Sequence, residues 1–192
     1  MQTNLALLIA AARRPFEALI ADRRGMSSIE FALLLPVMVI LYIGGVEVTS
    51  AIAIDRKVSQ SARTLGDLVA QATNITATDM SNILGATSAI LQPYDDTHLQ
   101  IVVSSVQVNA QGAAKVSWSD TKNGTPRAVG STVTLPPALT VPNTSVILAE
   151  SQYAYTPGLG YVITGTMNLN DQIYMRPRMS SCVLRAGVQS AC

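Results

Sequence analysis

Between Phe31 and Val46 the chain carries no formal charge, and Glu47 is the only one between Phe31 and Ile54. An α-helix needs about 20 predominantly apolar residues to cross the hydrocarbon core of a bilayer. With Gly44, Gly45, Thr49 and Ser50 counted as weakly polar, the run to Ile54 is long enough. Arginines at 13, 14, 23 and 24 precede it, interrupted by Glu17 and Asp22. An excess of Lys and Arg marks the cytoplasmic flank of a spanning segment. Residues 1–25 are therefore expected in the cytoplasm, and everything after Asp55 on the far side. Glu30 stands at the start of the run, where a carboxylate at membrane depth is costly. Pro36 lacks a backbone donor and crowds the carbonyl of Ala32, so a bend in the helix is expected there.

The apolar helix should run on beyond the membrane face. Ile54, Val58, Ala62, Leu65 and Val69 recur at helical spacing, and Asp55, Arg56, Gln60, Arg63 and Asp67 occupy other faces. This half is amphipathic, ends near Gln71 to Asn74, and needs a partner surface, most simply a sheet of the same chain. A second helix is expected over residues 78–92, with Met80, Ile83, Leu84, Thr87 and Leu91 on one face. Thr76 or Thr78 can cap its start, and Pro93 marks its end.

After Pro93 the period becomes two. Leu99, Ile101 and Val103 alternate, and Val106 and Val108 resume after a phase slip at Ser104-Ser105. A turn over residues 109–112 and a return strand over 115–119 make a hairpin. Residues 121–130 read as a polar loop, and 131–135 as a short extended piece. Pro136, Pro137 and Pro142 exclude a central strand. Residues 145–155 form the next strand, with Ile147, Ala149, Ser151, Tyr153 and Tyr155 on one side. Shorter extended pieces follow at 161–164 and 172–176. The expected fold class is α+β: a long transmembrane and amphipathic helix plus a second helix, packed on a small antiparallel sheet. The expected division is a leader at 1–25, a transmembrane helix at 26–54 and an α+β domain at 55–192.

Composition excludes several functions. The 192 residues have a formal net charge of +1, and no basic stripe follows Arg63, which gives no electrostatic case for nucleic acid. There is no phosphate-binding glycine loop, dinucleotide fingerprint or paired metal-ligand spacing. His98 is the only histidine, and no strained-turn nucleophile accompanies it. His98 is expected to be exposed and noncatalytic, the adjacent Asp95-Asp96 to be a solvated loop, and the C-terminal tyrosines to pack against strands. No enzyme activity, cofactor, metal or small-molecule substrate is expected. Cys182 and Cys192 are the only cysteines, and export from the cytoplasm would make a short-loop disulfide between them the natural reading.

Gly25 is a small residue at the membrane boundary, accessible there to a membrane-embedded peptidase. The stretch Arg23-Arg24-Gly25-Met26-Ser27-Ser28-Ile29-Glu30-Phe31 resembles a class III-type prepilin cleavage site. Continued through Ala32-Leu33-Leu34-Leu35-Pro36, it resembles the TadE/TadG-like family of pilus-assembly pseudopilins. Ser117-Trp118-Ser119-Asp120, the tyrosine-bearing strand and Tyr174-Met175-Arg176-Pro177-Arg178 are softer matches to that family. The resemblance implies a pilin-like minor pseudopilin of a tight-adherence type IV pilus, cut by a prepilin peptidase after Gly25. Met26 would become the new N-terminus, where pilins favour phenylalanine. Glu30 would be the fifth mature residue, its charge offset by the freed amine of a neighbouring subunit, and Phe31 would follow it as the recognition aromatic. The implied partners are the bacterial inner membrane, the peptidase and other pilus-assembly subunits, with the C-terminal domain in the periplasm. Two alternatives remain open at this level. One is a secreted binding or hydrolytic domain, cut by signal peptidase at the small-x-small site after Ala53. The other is a periplasmic protein on an uncleaved single-pass anchor.

Overall fold

The computed structural model of the protein describes residues 25–158 and 165–188. The arginines at 13, 14, 23 and 24, the extended piece expected at 161–164, and Cys192 lie outside them. Two compact units divide between Val46 and Glu47.

Helix α1, Met26–Ala70, runs as one element through Pro36. In the first unit most of its side chains are exposed: Leu33, Met38, Ile40, Leu41 and Tyr42 are each at least 60% exposed. From Glu47 on, α1 belongs to the second unit and acquires a buried stripe. Ala51, Ile54, Val58, Ala62, Leu65 and Val69 are all below the surface, as their spacing predicts. Thus Glu47, Ala51 and Ile54, which hydropathy grouped with the membrane stretch, are core residues of this unit.

After α1 come the short strand β1 (Asn74–Ile75) and helix α2 (Ala77–Ala89). Thr76 caps α2 reciprocally: its hydroxyl accepts from the Asp79 N–H at 3.2 Å, and its own N–H donates to the Asp79 carboxylate at 3.0 Å. At the other end Lys57 of α1 reaches across and donates to the carbonyls of Ile90 and Gln92, at 3.0 and 2.8 Å. A cation there satisfies carbonyls that the helix itself leaves open.

The remaining chain builds a four-stranded antiparallel sheet in the order β3-β2-β4-β5: β2 is Leu99–Val108, β3 Ala114–Lys122, β4 Thr144–Tyr155 and β5 Met167–Met175. β3 extends into the stretch read as a polar loop, and β5 begins five residues before the expected 172. The β3 extension, Thr121-Lys122, is polar, and the β5 extension sets Met167 and Leu169 among Asn168, Asn170 and Asp171, too few apolar positions for periodicity to separate from a loop. The slip at Ser104-Ser105 is not a break in β2, whose pairing with β4 runs unshifted from Leu99 to Val108. Instead the apolar positions change face. Leu99, Ile101 and Val103 join the core under α1, with Trp118, Ile147, Ala149 and Tyr153. Val106 and Val108 join a second core on the opposite face, with Ala114, Val116, Val146 and Leu148, covered by Val133 and Leu135. β3 makes the same change by a bulge. Ser105 pairs with Trp118 and Val106 with Val116, leaving Ser117 as the extra residue.

The C-terminal segment ties these layers together. Strand β6, Leu184–Arg185, pairs in parallel with β1. The Trp118 indole N–H donates to the Val183 carbonyl at 2.7 Å, and Arg185 pairs with Asp120 at 2.7 Å. Arg178 pairs with Asp67 of α1 at 2.5 Å. Cys182 is buried and disulfide-bonded.

Helix α1 meets the sheet closely at Gly66, where a Cβ would lie 3.3 Å from the Met175 sulfur and 3.4 Å from the Ala149 Cβ. Gly66→Leu is therefore expected to destabilise by about 1–3 kcal/mol through overpacking. Trp118→Phe strands a buried carbonyl and is expected to cost about 1–3 kcal/mol. Denaturant titration of the purified chain measures both. Hydrogen bonds from Thr76 hold the Asp79 carboxyl below the usual carboxylate range, and Lys122 does the same for Asp96. A lowered folded pKa contributes stability that is present above the unfolded value and lost as pH falls through the folded one. Melting temperature is therefore expected to drop as the pH is taken below about 4, and Asp79→Ala to remove part of that dependence.

Candidate functional site

The residues singled out in the sequence cluster at the start of α1. Gly25 forms the turn that opens the helix: its carbonyl accepts from the N–H groups of Ser28 and Ile29, both at 3.1 Å. Among the described residues, and apart from its chain neighbours and the helix's own backbone, no atom lies within 4 Å of the position a Gly25 Cβ would take. The peptide between Gly25 and Met26 therefore sits at the first turn, and Gly25 itself is exposed among the described residues. Met26 is 63% exposed and Phe31 60%, and Glu30 is exposed with them. Leu34, Leu35, Val37 and Met38 continue the bare apolar surface, and Pro36 lies inside it. Among the described residues this helix is the one long and apolar enough to cross a membrane, with a mean hydropathy of 2.3 in its best window.

A bare apolar helix is a poor solution in water, since apolar surface of this size is normally covered by lipid or by another protein. Glu30 is the single acid in that surface, one position before Phe31. The arrangement offers no nucleophile and no acid–base pair. It offers an accessible peptide bond, a carboxylate on an apolar helix and an aromatic ring beside it.

Residues 25–65 match the TadE-like protein family. The match starts at Gly25, takes in Glu30, Phe31 and Pro36, and ends at Leu65 of the buried stripe. TadE-like proteins are a pilus-component family. No curated protein and no solved structure matches the chain.

Outside the TadE-like segment the sequence-selected residues do not converge. Cys182 lies in the C-terminal segment that crosses Trp118. His98 is exposed, its ring edge-on to Tyr153 at 6.3 Å between centroids. Asp95 accepts from the Thr97 N–H, which holds its carboxyl below the usual range. Asp96 takes the Lys122 ammonium at 2.8 Å. Among the described residues no three His, Cys, Asp or Glu side chains gather as metal ligands. Tyr153 and Tyr155 are core residues whose hydroxyls burial pushes up in pKa, and the charge of Glu47 adds to the shift at Tyr155. That buried Glu47 was visible in the sequence only as an interruption of the apolar run.

Glu30 and Phe31 touch no core. Glu30→Ala and Phe31→Ala are expected to leave the unfolding of the second unit unchanged within about 0.5 kcal/mol, as measured by Trp118 fluorescence in denaturant.

Proposed function

We propose that the protein is a minor pseudopilin of a tight-adherence pilus, anchored in the bacterial inner membrane and processed by a prepilin peptidase after Gly25. The observation that carries this reading is the exposed, apolar start of α1, with Gly25 at its first turn and Glu30 as its single acid. The spanning part is Met26 to Val46, 21 residues. At 1.5 Å per residue these cover about 31 Å, which matches a hydrocarbon core of about 30 Å. The packed unit from Glu47 onward then stands in the periplasm, where Cys182 pairs with Cys192.

Cleavage leaves Met26 with a free ammonium group and Glu30 four residues on. An unpaired acid in the hydrocarbon costs about 2.5–3.5 kcal/mol at the helix centre and less near the interface. Pairing Glu30 with the terminal amine of a neighbouring subunit removes that cost, so the residue favours assembly over a solitary anchor. The protein performs no reaction of its own in this reading. A signal-peptidase cut after Ala53 fits less well, because it would sever α1 between Ala51 and Ile54, both buried in the packed unit.

Expression in a host carrying the cognate prepilin peptidase, followed by N-terminal sequencing, is expected to give a chain starting at Met26. A start at Ile54 would establish the secreted alternative. A chain retaining residues upstream of Gly25 would leave an uncleaved anchor. Glu30→Ala is expected to abolish pilus assembly while membrane insertion persists, checked by fractionation and electron microscopy of the same cells.

A further inference from the structure

The sheet face opposite α1 holds a cavity of about 660 Å³ that the assembly role does not use. Its floor follows from strand register. Gln100 of β2 pairs with Gln152 of β4, which pairs with Asn170 of β5. The next row places Gln172 beside Glu150. Adjacent strands lie about 4.8 Å apart, so three primary amides stand in a line across the sheet at that interval. The side chains of Gln100, Gln152, Asn170 and Gln172 are exposed, and among the described residues none of their amides is hydrogen-bonded.

The lining chemistry selects among ligands. Each amide presents both donors and acceptors, and so does each hydroxyl of a sugar. The lining contains one cation, Arg127, and two acids, Glu150 and Asp171. Arg127 is already engaged by Glu150 through two parallel bonds of 2.8 and 2.7 Å. A phosphate, sulfate or acidic polymer would have to displace Glu150 from Arg127, so anions are disfavoured. Val102 is the one aliphatic side chain in the lining, so an apolar ligand gains little. Neutral, hydroxyl-rich molecules fit best. The volume is within the range of about 300–1,000 Å³ typical of small-ligand sites.

We propose that this cavity is a binding site for a neutral oligosaccharide, laid across the strands along the Gln100, Gln152 and Asn170 row. The amides supply the recognition. The Arg127–Glu150 pair fixes one wall and keeps it from attracting anions. The site stands independently of membrane anchoring, processing and assembly.

The test uses the full chain in detergent micelles and calorimetric titration with maltohexaose, cellohexaose, mannohexaose and N-acetylchitohexaose, with heparin hexasaccharide as the anionic comparison. At least one neutral hexasaccharide is expected to bind. The double substitution Gln152→Ala with Asn170→Ala is expected to weaken that binding about tenfold or more, with the melting temperature unchanged because both side chains are exposed. No binding by any of the four neutral sugars at concentrations on the order of 10 mM overturns the proposal. So does binding that the double substitution leaves intact, and so does preferential binding of heparin, which would instead mark an anion site.

Discussion

The stripe Ile54, Val58, Leu65 and Val69 on α1, packed against Leu99, Ile101, Val103, Ile147 and Ala149, is the contact that the folded unit depends on. It needs every feature around it to agree. Gly66 lets the helix approach the Ala149 and Met175 strands closely, since a Cβ there would press on the Met175 sulfur at 3.3 Å. Ser151, the polar member of the inward row on β4, is accommodated because its hydroxyl donates to the Val58 carbonyl at 2.8 Å. Lys57, one position before Val58, uses its length to close the end of α2. One turn of α1 thus joins the sheet on one side and the second helix on the other.

The two faces of the sheet are stabilised differently along its length. Under α1 the inward residues are mostly large and apolar. Beyond the end of that coverage the opposite face is sealed by the segment around Val133 and Leu135. The bulge at Ser117 allows this, because without it Val116 and Trp118 would point to the same side. The segment that carries Val133 also runs along the outer edge of β3. The Val116 N–H donates to the Ser131 carbonyl, and the Gly130 N–H to the Val116 carbonyl, which blunts that edge against unwanted pairing.

Periodicity exposed what repeats. The five-residue stripe of α1, the face of α2, and the alternations at 99–103 and 147–155 are long enough for each position to support the next. The motif from Gly25 to Pro36 was readable because it is local and because acids are costly in apolar runs. What escaped were features set by contacts distant in sequence. Nothing near Val106 says that its side of β2 is covered by residues 27 and more positions away. Nothing in Leu184-Arg185 says strand, because its partner β1 is equally short and lies 110 positions earlier. The amides of β2, β4 and β5 read singly as solvent-facing strand residues. Only the register brings them into one row.

The Trp118–Val183 bond also orders events in time. The buried half of α1 is made early, but the carbonyl that satisfies Trp118 lies 65 residues after the indole, in the last part of the described chain. From Val69 to Val183 is 114 residues. At a synthesis rate of about 5–20 residues per second, roughly 6–23 s pass in which the apolar stripe of α1 exists without its complete cover. During that interval the helix carries two unsheltered greasy surfaces, one at each half.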